Sequence, residues 1–435
     1  MNITVVGDIE QRAIDQLKRC TEYGDAVAGA ICADGHVGYS QPIGGVVAYK
    51  DHISPSGVGY DIGCGNKAVR TDLWVPTIHS TDIVKIMDEI SSKISFGMGR
   101  NNDEPVDHPV LDKIKEASFI PQRKLSQLAS NQLGTVGSGN HYVDLFEDET
   151  GYMWVGVHFG SRGFGHKTAS GFLALAQGKE FGEHAPDGEM DSPPILFSTE
   201  SDLGQSYIEA MTLAGEYAYA GRDVVVDKVL NILGAKSTES IHNHHNFAWK
   251  ENHFGEEVWV VRKGCTPAFP GQKGFVGATM GEPSVILEGK ANDDEFFRGS
   301  TDLLYSTIHG AGRVMSRTQA AGKTRRHKYY ECNNRDCSYT HTDSNQGCPK
   351  HQGKMIKRWS SEQIMPGLID FDKVKSDLDT NNIVLRGGAA DEAPEAYKRL
   401  DTVLNFHKDT INILHTLKPI GVAMAGKDIY DPFKD

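Results

Sequence analysis

Long hydrophobic runs are missing from this 435-residue chain. Stretches such as 44–49 fall far short of the ~20 apolar residues that cross a bilayer, which excludes a transmembrane helix. No positive charge precedes Arg12 and the apolar run 3–6 is brief, so no signal peptide is read and the cytoplasm is the expected compartment. Basic residues are outnumbered: 45 Lys and Arg against 58 Asp and Glu leave a net charge of −13. That balance argues against indiscriminate nucleic-acid binding but leaves room for a local basic patch. The seven cysteines are odd in number, so a disulfide framework is not expected. No Gly-Lys-Ser/Thr follows a glycine-rich loop at P-loop spacing, and neither an internal repeat nor a heptad pattern is present.

What is present is an ordinary soluble composition, 39% hydrophobic and 24% charged. Glycine is in excess, at 47 residues. Many glycines cluster with His, Asp, Asn, Ser and Arg, as expected of shaped loops around a ligand. Helical spacing predicts helices over 10–20, 81–94 (with Thr81 placed to cap it), 203–233 and 393–417. Strand-like runs occupy 44–49, 67–71, 136–146, 152–158, 258–262 and 284–287. Residues 98–131 read as loop plus helix, and 179–200 as an acidic surface loop. Helices and strands are interspersed without βαβ alternation, so the fold class is α+β.

Five constellations can carry chemistry. In the first, Asp61 and Cys64 stand three apart among glycines and can turn onto one ion; a tight turn with a buried thiol is the plain alternative. In the second, Asn140, His141 and Asp144 follow a Gly-Ser-Gly turn. In the third, His158 leads into Gly160-Ser-Arg162-Gly, a loop suited to an anion. The fourth is His242-Asn-His244-His245-Asn246, whose imidazoles favour borderline ions such as Zn or Mn; a solvated His-rich turn is the alternative. In the fifth, His309 opens Gly-Ala-Gly-Arg313 and runs on to Arg317, with the two arginines spaced one helical turn apart. One thiolate, one carboxylate and three imidazoles can hold two ions if the thiolate bridges, and two metals with arginines suit phosphoryl transfer.

Together with Arg262-Lys263-Gly264 and Asp391-Glu-Ala-Pro-Glu-Ala-Tyr397, these motifs resemble, in order and spacing from about residue 26 to 418, the series of the RtcB RNA ligase family. The resemblance implies one large catalytic domain over 1–435, two Mn²⁺ ions, GTP, and joining of RNA 2′,3′-cyclic phosphate or 3′-phosphate ends to 5′-hydroxyl ends. It leaves open an archease-type activating partner. By family role, Cys64 bridges the metals, His158 and His245 complete one site, and Asp61 and His141 the other. His309 carries GMP, and Arg162, Arg313 and Arg317 meet RNA phosphates. GTP contacts come from Asn140, Asp144, Asn246, Thr279, Ser284, Ala311, Gly312 and Tyr397. The sequence departs from the family at Asp144, where Glu is usual, and at Gly277-Ala-Thr279-Met-Gly281, where Pro-Gly-Ser-Met-Gly is usual. It departs again at the C-terminus: Met424 aligns with the family's near-terminal lysine, and Lys427 is the candidate substitute.

An insertion over 323–358 is the remaining departure. Cys332, Cys337, Cys348 and His351 form a four-ligand set of the kind that closes a tetrahedral zinc site, so a zinc-ribbon-like element is expected. The segment holds nine Lys/Arg and three Asp/Glu, with Tyr329, Tyr330 and Tyr339 interleaved. A basic aromatic ribbon so soon after His309 is expected to hold an RNA end. Two other readings stand beside the ligase: a binuclear metallophosphodiesterase or phosphatase without guanylylation, and a non-catalytic zinc-ribbon RNA-binding adaptor.

Overall fold

Two large sheets dominate the fold, and at one of the crossings between them a single residue, His245, makes the connection. The computed structural model describes residues 3–184, 190–291, 299–334, 337–342, 347–351 and 354–427. The run from 428 to 435 lies outside the described residues, as do parts of the 179–200 segment and of the 323–358 insertion. The first sheet has the order Ile3–Val5, Ala26–His36, Ile43–Tyr49, Glu256–Lys263, Asn246–His253. The second runs Lys273–Val276, Ser284–Gly289, Ile411–Gly426, Tyr142–Glu147, Tyr152–Phe159, Gly65–Trp74, Ser237–His244, with Val384–Gly388 parallel to Ile411–Gly426. Helices intersperse with these strands, and the class is α+β. Among the described residues, no helix is long and apolar enough to cross a membrane.

The second sheet is covered on both faces, and its strands lose simple alternation as a result. In Tyr152–Phe159, Met153, Val155 and Val157 pack with Val225 and Val229 of the helix Asp202–Leu233. Trp154 faces the other way, into a cluster with Phe146 and Phe275. Asp202–Leu233 starts at Ser201, whose hydroxyl accepts from the Gly204 N–H, and ends at Gly234 in the left-handed region. Its apolar stripe (Tyr207, Met211, Ala214, Ala218, Val225, Val229) is buried.

Several expected boundaries move. The predicted helix over 393–417 is one short 3₁₀ turn, Pro394–Ala396, the helix Leu400–Phe406 and the first half of the strand Ile411–Gly426. Bulges between Ile286 and Leu287 and between Pro419 and Gly421 shift the parity of that strand, so its burial mimics an i, i+3 pattern over Ile411, Leu414 and Leu417. The strand expected from 136 begins only at Tyr142, because Gly139 turns the chain with φ +69°. Residues 98–131 hold three short helices, Pro109–Lys115, Ile120–Arg123 and Ser126–Gln132. The helix expected at 81–94 spans Ser80–Lys93, with His79 rather than Thr81 at its cap. Arg313 and Arg317 do not share a helix: Arg313 is extended and bridges to Tyr397, and Arg317 opens Arg317–Ala321.

The stripe of the long helix also carries a charge. Arg222 is fully buried. Its Nη1 donates to the carbonyls of Gly63 at 2.9 Å and Phe159 at 2.6 Å, its Nε to His242 at 2.8 Å, and its Nη2 to His244 Nδ1 at 3.0 Å. One guanidinium thus ties three strand ends to one helix. Replacing it with Leu strands those acceptors, and Arg222→Leu is expected to cost about 3 kcal/mol or more, from several charge-assisted hydrogen bonds, read as a lowered midpoint in urea unfolding.

Candidate active site

Antiparallel pairing gathers the site along one rim of the second sheet. Cys64 immediately precedes the strand Gly65–Trp74, His141 precedes Tyr142–Glu147, His158 is the penultimate residue of Tyr152–Phe159, and His245 follows Ser237–His244. In register, Gly65 stands opposite both Phe159 and His244, and Tyr142 stands opposite His158. Two strand starts beside two strand ends put four side chains at one edge. The approach at Gly65 is so close that a Cβ there would meet the Asn243 carbonyl at 2.2 Å.

The potential ligand atoms converge. Cys64 Sγ lies 3.3 Å from His158 Nε2 and 3.6 Å from His141 Nε2. His158 Nε2 lies 3.3 Å from His245 Nε2, and His141 Nε2 lies 3.2 Å from Asp61 Oδ2. His158 Nδ1 donates to the Asn140 carbonyl at 2.9 Å, which fixes the tautomer with a lone pair on Nε2, aimed at the thiol. Burial pushes the Cys64 thiol well above its ordinary range, and the Asp61 carboxylate pushes it further. Burial also holds His158 and His245 far below the usual histidine range. For Asp61, burial opposes ionisation, but the hydrogen bond and charge of His141 outweigh it and bring the carboxyl down to about 2. A buried thiol against unprotonated imidazoles and a carboxylate is a donor set that a divalent cation completes, since the cation favours every deprotonated form.

Of the His-rich motif, only His245 joins this cluster. His242 and His244 share a strand face and turn to Arg222, and burial followed by that guanidinium keeps His244 far below its ordinary range.

His309 follows the strand Ser306–Ile308, which pairs with Cys265–Pro267. Its ring centroid lies 4.8 Å from that of His245. Its Nδ1 sits 2.6 Å from Asp34 Oδ2, and the same oxygen accepts the His309 and Gly310 backbone N–H at 3.0 and 3.3 Å. Asp34 is fully buried; burial opposes its ionisation, but His309 and these hydrogen bonds lower its carboxyl below the usual range. The orienting partner of His309 is therefore Asp34 and not an arginine. Gly264, at φ +65°, lets the ring in: a Cβ there would meet the imidazole at 3.0 Å. Asp34 carries no motif and motif reading missed it; the available signal is a lone carboxylate after the apolar run of the strand Ala26–His36.

Beside His309 opens a cavity of about 260 Å³, at the small end of the ~300–1,000 Å³ range of small-molecule sites. Asn140, Asp144, Thr279, Ala311, Gly312 and Tyr397 line it. Tyr142 Oη, Asp144 Oδ1 and Thr279 Oγ1 are buried in its wall without hydrogen-bond partners. Ser284 and Asn246 stand behind the wall: Ser284 Oγ accepts from the Ala278 N–H at 2.9 Å, and Asn246 Oδ1 accepts from the Gly264 N–H at 2.7 Å. Met424 lines the cavity, whereas Lys427 is exposed past the strand end and is not among its lining residues.

The three arginines differ. Arg162 is held beside Thr135 and Gly97. Each nitrogen of Arg313 donates within the protein, Nη1 to Tyr397 Oη at 2.7 Å, Nη2 to the Asp391 carbonyl at 2.7 Å and Nε to the Met315 carbonyl at 3.2 Å. Arg317 Nε lies 3.6 Å from Glu392. Glu392 is a further residue that motif reading passed over: buried, it touches Tyr397 Oη and sits between the two guanidinium groups.

Cys332, Cys337, Cys348 and His351 converge elsewhere, at the tip of a ribbon formed by Gly322–Cys332 and Met355–Pro366. Ten residues at ~3.3 Å each put Cys332 about 33 Å from the ribbon's base. The base of the ribbon therefore lies nearest to His309 in the chain, and the Cys/His tip stands away from it.

Comparison with known proteins agrees with this geometry. A family described as "tRNA-splicing ligase RtcB" matches residues 16–120 and 112–361. The chain is 28% identical to the RNA-splicing ligase RtcB of Escherichia coli, over 90% of this chain and 88% of that protein. It is 28% identical to the tRNA-splicing ligase RtcB of Archaeoglobus fulgidus, over 95% and 91%. It is 30% identical to the Aeropyrum pernix tRNA-splicing ligase RtcB, over 67% and 74%. With the family match extending over most of its length, the chain belongs to the RtcB family of RNA ligases.

Proposed function

We propose that the chain joins RNA 2′,3′-cyclic phosphate or 3′-phosphate ends to 5′-hydroxyl ends, using GTP and two Mn²⁺ ions, through GMP carried on His309. The observation that supports this most is the Asp34–His309 contact. With Nδ1 committed to a buried carboxylate, Nε2 is the ring atom left for attack, and Asp34 stabilises the positive charge the ring gains on attacking. The α-phosphorus of GTP forms a bond to Nε2 as its bond to the pyrophosphate oxygen breaks. An RNA 3′-phosphate oxygen then takes the GMP and frees the histidine. The 5′-hydroxyl attacks that 3′-phosphate and GMP departs; a cyclic phosphate is first opened by water.

Cys64, His158 and His245 would hold one ion, and Cys64, Asp61 and His141 the other. When bound, the ions supply charge neutralisation on phosphoryl oxygens and a lower pKa for the attacking hydroxyl. The orphaned Tyr142, Asp144 and Thr279 atoms suit a ligand rich in hydrogen-bonding groups, as a guanine nucleotide is. Burial pushes the Asp144 carboxyl well above the usual range, a cost that the N–H donors on guanine's edge would offset.

The deciding experiment is incubation with α-labelled GTP and Mn²⁺, then a denaturing gel and a test of acid lability. His309→Ala is expected to lose the adduct entirely while keeping its metal content; a surviving acid-labile adduct would place the nucleophile elsewhere. Ligation of 3′-phosphate to 5′-hydroxyl RNA, run with and without an archease-type activator, tests the rest. Removing the shared thiolate should empty both metal positions, because two cations without it repel at short range. Cys64→Ala is thus expected to bind no Mn²⁺ by titration calorimetry, and His158→Ala about one equivalent; two full equivalents on Cys64→Ala would end the bridging assignment.

A further inference from the structure

The ribbon of Gly322–Cys332 and Met355–Pro366 leaves the body as an exposed two-stranded arm, with a third short strand, Thr340–His341, beside its end. A two-stranded ribbon is at best marginally stable in water. Its tip nevertheless buries three thiols, Cys332, Cys337 and Cys348, to 5%, 7% and 3% exposure, and among the described residues only Tyr339 and Met355 are apolar side chains packed against them. That is too little apolar surface to explain the burial. All three cysteines are free. Cys337 Sγ lies 3.7 Å from Cys348 Sγ, Cys348 Sγ lies 3.8 Å from His351 Nδ1, and all four ligand atoms fall within 4.8 Å of one another. A tetrahedron with legs of ~2.3 Å has edges of about 3.8 Å.

We propose that Cys332, Cys337, Cys348 and His351 hold one structural zinc ion that staples the tip of the arm. Three thiolates and an imidazole select zinc over manganese by softness, and four protein ligands leave no position open for a substrate. The site is independent of the ligase reading. The test is zinc content by mass spectrometry after reconstitution and desalting, in a Cys64→Ala background that removes the other thiolate. One equivalent is expected, falling to none in Cys337→Ser with Cys348→Ser, while the melting temperature of the body stays put. Cobalt in place of zinc should give a thiolate charge-transfer band and tetrahedral absorption, lost in the same variant. No zinc in the parent protein, or the same zinc in the double variant, overturns the site.

A separate observation concerns the two faces of the arm. Paired residues share a face and successive residues alternate. Lys328 stands opposite Trp359, and Tyr330 opposite Lys357, so these four share one face. Lys328 Nζ lies 5.4 Å from the Tyr330 ring centroid and Lys357 Nζ 5.0 Å from that of Trp359, which is 53% exposed. The carboxylates fall on the opposite face, where Glu331 pairs with Arg358 at 3.0 Å and Glu362 with His327 at 3.1 Å. One face is thus neutralised, and the other is cationic, aromatic and free of acids.

We infer that this acid-free face binds the RNA substrate at a distance from His309, phosphates on the lysines and bases on Trp359. The inference rests on the ligase reading. Lys328→Glu with Lys357→Glu should weaken RNA binding at least tenfold. Losing two phosphate contacts should flatten its salt dependence by about 1.4 to 1.8 in log–log slope, with GMP loading of His309 unchanged. Unchanged affinity and slope overturn the face. A parent protein that binds no RNA overturns the ligase reading itself, and GMP loading reports on that reading separately.

Discussion

The strand Ser237–His244 belongs to one sheet and Asn246–His253 to the other, with only His245 between them. The chain has no slack there, so the rim of the larger sheet is pressed against the edge of the smaller one. Backbone hydrogen bonds fix the junction: the N–H groups of His245 and Asn246 both reach the Cys64 carbonyl, and Cys265 N–H reaches the His245 carbonyl. Cys64, His141 and His158 come from the larger sheet and Asp34 from the smaller one. His309 arrives on a strand paired with Cys265–Pro267, directly after the smaller sheet's Glu256–Lys263. The two halves of the chemistry meet at the tightest crossing between the two sheets, where His245 alone joins their strands.

Burial sets the charge states on both sides of that junction. It raises the Cys64 thiol and lowers His158 and His245, so these three favour their neutral forms, while His141 keeps Asp61 ionised. Arg222 lies behind it, fully buried, its own pKa brought down to about 10 by burial. It helps to keep its neighbouring imidazoles unprotonated and anchors the Gly63 turn that leads to Cys64. Asp34 behaves in the opposite way, because three hydrogen bonds around His309 hold the carboxylate charged in full burial. The result is a donor pocket with one carboxylate, beside a histidine with an anionic partner of its own. The first suits a divalent cation, and the second suits a nitrogen nucleophile.

Residue types near one another in sequence made much of this legible. Asp61 and Cys64 share one turn, and the helix Asp202–Leu233 announces itself by the spacing of Tyr207, Met211, Ala214 and Ala218. What stayed hidden was pairing across the chain. Asp34 and His309 stand 275 residues apart, and no local pattern joins them. Arg222 was visible in principle, as a charge on the stripe between Ala218 and Val225, and so was the split of His242 and His244 from His245 by strand parity. The strand Ile411–Gly426 was hidden for a different reason: its bulges break the two-residue period on which a strand is recognised. Lys427 shows the limit of alignment at a chain end. The position that reaches the cavity is Met424, and for the proposed nucleotide the polar contacts would come from neighbours such as Asp144.

Thiols occur in two settings here, and the settings divide the chemistry. Cys64 is one sulfur among nitrogen and oxygen donors, close to a cavity that leaves room for a substrate. Mixed donors of this kind hold a borderline or hard ion without saturating it. The tip of the arm offers three sulfurs and one imidazole, which is the composition of a closed site. Had both been built from the same donors, one ion would compete for both positions. With metals bound as proposed, different softness would let each position select its own ion, and about 33 Å of ribbon, at ~3.3 Å per residue, keeps them from sharing a ligand. An arm folded by its own metal would then leave the site at the sheet junction open to reactants.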